Sequence, residues 1–356
     1  MKDFFKGLKV VEFASVLAGP SVGMFFAELG AEVLKIENKK AGGDVTRSWK
    51  LASEDRNHPF SAYYSSVNFG KQSILLNLKE VDGIEKAKQF AKAADVVIVN
   101  FKAGDAEKLG LDYKSLKLIN PKLIYGEITG FGTSKRVAYD IVLQAESGFL
   151  SMNGTQNGEL CKMPVALIDL LAAHQLKEGI LLAMLKQQQE KKAIKVSVSL
   201  LDAAVSSLAN QATNFLMTQY IAEPMGTLHP NIAPYGEFFS CKDGKQIVLA
   251  IASTVQFEKL CNVLKVTQLL EDDRFMDNQS RVQHRKALAI LLEKKIRGCN
   301  REELMNLFIE KDIPAGAVKT INEVFDVKEV KARVLSEEKE GQQLKTVEGN
   351  AFILSD

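Results

Sequence analysis

The stretch VVEFASVLAGPSVGMFFAELGAEVLKIE, running from Val10 to Glu37, decides the fold. Its apolar, β-branched opening reads as a strand, its middle as a glycine turn and a helix, and its end as a second strand closing on an acid. A dinucleotide-binding turn needs Gly-x-Gly-x-x-Gly, with one glycine for the tight turn, one for the approach of pyrophosphate and one for helix packing. Here Gly19 and Gly23 are separated by three residues, Pro20 lies between them, and the close-approach glycine is missing. Pro20 suits the first turn of a helix, where no N–H is needed. The helix start near Ser21 still offers free N–H groups and a positive dipole end to a phosphate. On these residues alone the turn is either a phosphate site or an ordinary βαβ unit without a ligand.

The same alternation continues over the first two hundred residues. LKVVEFA (8–14), AEVLKIE (31–37), SILLNLK (73–79), DVVIVNF (95–101), KLIYGEI (122–128) and IKVSVSL (194–200) read as strands. SVGMFFAELG (21–30), VDGIEKAKQFAKAA (81–94) and LLAAHQLKEGILLAMLKQQQE (170–190) carry helix-spaced apolar residues. Strands alternating with helices imply an α/β fold, with an open, mostly parallel, Rossmann-like sheet in a large domain. After Leu200 the texture changes. LLDAAVSSLANQATNFLMTQY (200–220) reads as one long, mostly apolar helix, followed by a stretch containing Pro and Gly and then a hairpin turning at Lys242-Asp243-Gly244. These features place a large domain over 1–200 and 325–356, a linker helix over 201–224 and a smaller α+β domain over 225–324.

Composition narrows the function classes. The 356 residues are 46% apolar and 25% charged, with a formal net charge of +2 and a pI near 8.1, so nothing favours nucleic acid as a partner. No apolar run approaches the ~18 residues of a membrane span. No positively charged start precedes an apolar stretch, so no signal peptide and a cytoplasmic location are expected. Cys161, Cys241, Cys261 and Cys299 form no CxxC, and His58, His174, His229 and His284 are equally scattered. Reduced thiols and no metal site are the expectation.

Beyond Glu37 comes an ordered series: NKKAGGDVTR, NFGKQSILLNLK, ADVVIVNFKAGDAEKLGLDY and AYDIVLQAESGFLSMNG, followed by PYGEFFSCKDG, DDRF and DIPAGAV. In order and spacing it resembles the family III CoA-transferases (CaiB/BaiF-like), a group that includes formyl-CoA and carnitine-type CoA-transferases and the α-methylacyl-CoA racemases. The resemblance implies coenzyme A or acyl-CoA as substrate, with no permanently bound cofactor. It also implies an interlocked, ring-like homodimer. By motif it carries the CoA site to Leu17, Ala18, Asn38, Lys39, Leu76, Asn77, Leu78, Lys79, Asn100, Phe101, Lys102, Lys108, Val137, Ala138, Tyr139 and Asp140. Lys39, Lys79 and Lys108 could meet three phosphates as charged donors, although each alone also reads as a solvated surface charge.

In MPVALIDLLAAHQL, Asp169 stands among Val165, Ala166, Leu167, Ile168, Leu170 and Leu171. An ionised carboxylate there is costly unless bonded or paired. Its local reading is an N-cap for a helix beginning at Leu170. The resemblance matches Ala166-Leu-Ile-Asp to the family's catalytic aspartate and implies aspartyl-anhydride and aspartyl-CoA thioester intermediates. Racemisation remains the alternative, and needs two proton-transfer groups. The racemases resembling this chain use His–Asp, Asp and a Glu in the small domain. This chain has Tyr139-Asp140 and, in AIASTVQF, Ser253-Thr254 with no acid. A non-catalytic acyl-CoA-binding protein and an NAD-dependent dehydrogenase are the other readings, and CoA transfer to a small carboxylic acid is preferred.

Overall fold

The six apolar runs become β1 (Lys9–Glu12), β2 (Glu32–Asn38), β3 (Gln72–Leu76), β4 (Val96–Val99), β5 (Ile124–Thr129) and β6 (Ile194–Ser199). All pairs are parallel, in the order β3-β2-β1-β4-β5-β6. This computed structural model describes residues 3–355 and divides into two compact units. The first unit takes residues up to 150, 162–221 and from 331 on; the second takes 151–161 and 222–330. The sequence reading sets a linker helix over 201–224 between a large domain at 1–200 with 325–356 and a small one at 225–324.

Side-chain alternation splits each central strand of the first unit between two cores. Val10, Val96, Ile98 and Ile124 face one apolar cluster, which α1 (Ala18–Glu28) closes with Val22, Phe25 and Phe26. Val11, Val97, Val99 and Tyr125 face the other, closed by Ala87 and Ala91 of α2 (Val81–Ala93). Two helices lie between β5 and β6: the short α3 (Asp140–Glu146) and the long α4 (Leu167–Glu190), whose Ile168, Ala172, Leu176 and Ile180 join the first cluster. The single helix expected over 200–220 is instead α5 (Leu200–Ser206) and α6 (Asn210–Thr218). Ser206 and Ser207 hydroxyls both donate to the Ala203 carbonyl, at 3.0 and 2.7 Å, and so compete with the helical backbone. Ala209 then turns to a φ of +49°.

The two glycines of the opening stretch have packing roles. A Cβ at Gly19 would lie 2.2 Å from Ala14 Cβ, and one at Gly23 would lie 1.9 Å from Glu12 Oε2. Gly23 therefore makes room for a buried carboxylate, and Lys71 Nζ reaches the same oxygen at 2.8 Å. The long connection from β2 to β3 supplies Lys71 and also Asp44 and Arg47. A C-terminal hairpin, β10 (Val334–Lys339) and β11 (Gln342–Val347), fastens that connection. Lys339 Nζ donates to the Lys71 carbonyl and Glu337 accepts from Gly70 N–H, both at 2.9 Å. In the second unit, β7 (Tyr235–Ser240) and β8 (Gln246–Ala250) form the hairpin, and β9 (Ala315–Ala317) joins antiparallel to β8. Phe239, Ile247, Leu249, Phe257 and Leu292 build that unit's own core.

Candidate active site

In a parallel sheet of this order, the chain leaves β1 and β4 in opposite directions and opens a crevice at their carboxyl ends. Asn100, just past β4, ties the two loops together. Its Oδ1 accepts from Ser15 N–H at 3.0 Å, and its Nδ2 donates to the Ser15 carbonyl at 2.8 Å. On either side of this tie lie two clefts that share Ser15, Asn100, Phe101 and Lys102, both lined by residues of the first unit.

The larger cleft, about 920 Å³, runs along the ends of β1 to β4. Phe13, Leu76, Leu78 and Phe101 give it apolar walls, and Lys40, Lys79, Lys102 and Lys108 give it positive charge. Of the site residues expected from the sequence, Asn38, Leu76, Asn77, Leu78, Lys79, Asn100, Phe101, Lys102 and Lys108 line it. Lys39 does not; its neighbour Lys40 takes the wall. The local reason is a tight turn. Asn38 Oδ1 accepts the Lys40 N–H at 3.0 Å and starts a single 3₁₀ turn over Lys39–Ala41. Glu37 also borders the cleft, but its carboxylate is already engaged. Arg47 Nε and Nη2 donate at 2.7 and 2.8 Å, Tyr64 hydroxyl at 2.8 Å and Asp44 N–H at 2.6 Å. Burial opposes its charge, yet the Arg47 bonds win and hold it at about 2. A strand-ending acid saturated in this way is not free to accept from a ribose hydroxyl.

The smaller cleft, about 230 Å³, brings together Leu17, Ala18, Val137, Ala138, Tyr139, Asp140 and Asp169 from three separate parts of the chain. Asp169 does not cap its helix. Helix α4 starts at Leu167, with Ala166 as its cap residue and no side-chain cap bond. The carboxylate that serves that end is Asp140, whose Oδ1 accepts from Ile168 N–H at 2.7 Å and lies 3.4 Å from Asp169 N. The buried amide of Gln144 donates to the other Asp140 oxygen and accepts from Met163 N–H at 3.0 Å. With its capping need met by Asp140, Asp169 points a carboxylate into the cleft. It is 8% exposed, and no donor among the described residues takes it. Burial first, and the Asp140 charge second, push it up to about 7. The sequence suggested Asp140 only through the family pattern; nothing local in it marked a capping partner 28 residues from Ile168.

That burial has a measurable cost. Folding raises the Asp169 carboxyl from 3.8 to about 7, so the folded state holds the proton more tightly between those values. Stability therefore falls as pH rises through that window and stays lower above it. Asp169→Asn removes the burden: its Tm should exceed the wild type's at pH 8, and the gap should close toward pH 4. Identical melting curves at pH 8 would show that Asp169 is not a buried charge.

A buried ion cluster borders the larger cleft through Lys35 and Asp44, and no motif in the sequence marked it. Lys35 Nζ lies 2.8 Å from Glu12 Oε1 and 3.0 Å from Asp44 Oδ2, while Lys71 Nζ holds the other Glu12 oxygen. The only sequence signal was position: Glu12 and Lys35 sit inside strands whose neighbours on both sides are apolar.

The family model for CoA-transferase family III matches residues 5–355. Succinate–glutarate CoA-transferase of Agrobacterium fabrum is 36% identical, over 98% of this chain and 88% of its own length. Human succinyl-CoA:glutarate CoA-transferase is 33% identical, over 90% of this chain and 73% of its own. A crystal structure of a CaiB/BaiF family protein from Brucella suis superposes with a TM-score of 0.87 at 36% identity, covering 99% of this chain and 93% of that one. The sheet order, the paired clefts and these similarities converge: the chain belongs to CoA-transferase family III and is a CoA-transferase.

Proposed function

We propose that the protein moves CoA from an acyl-CoA donor to a carboxylic acid acceptor, with Asp169 as the covalent carrier. The observation that carries this reading is an unbonded, buried carboxylate beside the cleft that suits CoA. CoA would lie along β1 to β4, its phosphates near Lys40, Lys79 and Lys108 and its thioester near Asp169. The carboxylate attacks the thioester carbonyl, forming a mixed anhydride and releasing CoA thiolate. The thiolate attacks the Asp169 carbonyl of the anhydride, forming an aspartyl-CoA thioester and freeing the donor acid. An acceptor carboxylate then attacks that thioester, giving a second anhydride and thiolate. Attack of the thiolate on the acceptor's acyl carbonyl yields the new acyl-CoA and restores the carboxylate. No proton is gained or lost, and every step exchanges one activated acyl bond for another.

The named relatives act on succinate and glutarate, and a short dicarboxylic acid is the acceptor we favour here. Lys102 on the smaller cleft's wall supplies positive charge for a second carboxylate, while Arg136 on the same wall is paired with Glu146. Tyr139 stands where a racemase of this fold carries a histidine, and a phenol lacks the basic ring nitrogen that such a proton transfer uses. Succinyl-CoA and glutarate, incubated with the enzyme in heavy water, should give glutaryl-CoA without deuterium at the α-carbon. Rapid α-deuteration without exchange would favour racemisation, and binding without either would favour a non-catalytic role. The homodimer also belongs to this proposal; a single-chain mass in sedimentation at micromolar concentration would contradict it.

A further inference from the structure

The turn between β1 and α1 is more tightly held than a connecting loop requires. The carbonyl of Ala14 accepts from Lys35 Nζ at 2.8 Å. Ser15 is bracketed by Asn100 on both its N–H and its carbonyl. Val16 N–H faces both oxygens of Asp44, at 3.4 and 3.3 Å. Val16 itself has a φ of +71°, a left-handed conformation that a β-branched side chain resists. Such strain persists only where the surroundings over-determine it.

Asp44 is the restraint that acts on Val16 itself. Its side chain is fully buried, lies 3.0 Å from Lys35 Nζ, and accepts from Thr46 N–H and hydroxyl at 3.0 and 2.9 Å. Asp44 borders the larger cleft, but its fully buried carboxylate is closed to a ligand there. The residues after Val16 are open to one: Leu17 and Ala18 line the smaller cleft with Asp169. No acceptor among the described residues takes the N–H of Leu17, Ala18 or Gly19 at the start of α1. Every anhydride and thioester step passes through a carbonyl oxygen that becomes negative, and free N–H groups at a helix start suit that charge.

We propose that Asp44 is a positioning residue for the transfer: through Val16 it fixes the turn that presents the free N–H groups of α1 to the Asp169 cleft. The inference rests on Asp169 as the covalent carrier. Loss of Asp44 lets Val16 relax toward an ordinary φ and swings Leu17 and Ala18 away from the reacting carbonyl. The walls of the larger cleft at the four strand ends stay in place, since the Asp44 carboxylate is not open to it.

The test is a double substitution. Folded Asp44→Asn should lose about tenfold to a hundredfold in kcat, while CoA binds within about threefold of wild type by calorimetry. Val16→Gly added to Asp44→Asn should regain at least about fivefold, because glycine adopts a positive φ without strain. Should Asp44→Asn fail to fold, the charge-balanced pair Lys35→Met/Asp44→Asn takes its place, again with and without Val16→Gly. A kcat within about twofold of wild type would overturn the proposal. So would a loss of CoA affinity that accounts for the loss of rate, or no recovery with glycine. Hydroxylamine trapping separates this from the underlying reading. In Asp44→Asn the adduct should form more slowly but still on Asp169, whereas absence of any Asp169 adduct in the wild type would sink the carrier assignment itself.

Discussion

Asp169→Ala cuts kcat for CoA exchange by at least about a thousandfold, while CoA binds within about threefold of the wild-type affinity. The separation follows from geometry. The larger cleft is built by β1 to β4 and the turns after them, whereas Asp169 arrives from α4 and lines only the smaller one. On the proposed route, removing the carboxylate deletes the atom that would carry the acyl group and leaves the lysines of the larger cleft where they are. Asp169→Asn behaves alike, since an amide is a far weaker nucleophile. In the wild type the rate carries the same signature in its pH dependence. Only the ionised carboxylate attacks, and its pKa stands at about 7, so kcat falls about tenfold per unit as pH drops below that value and levels off above it. An acid kept near neutrality by burial and a neighbouring acid is a better nucleophile once ionised than one stabilised by ion pairs.

Lys71→Met destabilises the first unit by about 3–5 kcal/mol, seen as a lower denaturant midpoint for that unit. Lys71 Nζ makes three contacts, to Glu12 Oε2 and the Pro20 carbonyl at 2.8 Å and to Asn68 Oδ1 at 3.2 Å. Its loss leaves Glu12 and Asp44 buried against Lys35 alone, with one negative charge uncompensated. Against a total stability of roughly 5–15 kcal/mol, that is a large share. A midpoint unchanged from wild type would mean that water enters the site and solvates Glu12, which the packing around Gly23 argues against.

The fold was legible where one residue pattern had one structural meaning. Runs rich in valine and isoleucine marked the strands: continuous in β4, which is buried on both faces, and alternating in β6, whose Lys195 and Ser197 face outward. The broken helix after Leu200 was not legible. Its apolar spacing continues through Ser206 and Ser207, and the competing hydroxyl bonds to Ala203 are a property of the folded backbone. The opening turn was half legible. The missing close-approach glycine counted against a dinucleotide, but what Gly23 accommodates, a Glu12–Lys71 ion pair 59 residues apart in sequence, emerges only when β1 and the end of the β2–β3 connection meet.

The candidate site shows the same division. Asp169 stood out as a lone acid in an apolar run, and the family resemblance gave it a role. Its local reading as an N-cap failed because Asp140 fills that need from another element. Lys39 and Lys40 are indistinguishable by composition, and the one-residue offset between them is set by the Asn38 side chain closing a turn. Glu12, Lys35, Asp44 and Lys71 looked like ordinary charges in four separate segments. Long-range pairing of this kind leaves no local trace beyond the apolar neighbours of each residue.

The most direct test is mass spectrometry of the wild-type enzyme after brief incubation with an acyl-CoA and no acceptor, followed by hydroxylamine and peptide mapping. A CoA adduct on the intact chain and a hydroxamate at Asp169 alone are expected. A hydroxamate at any other residue, or rapid exchange with no adduct together with an active Asp169→Ala variant, would contradict it.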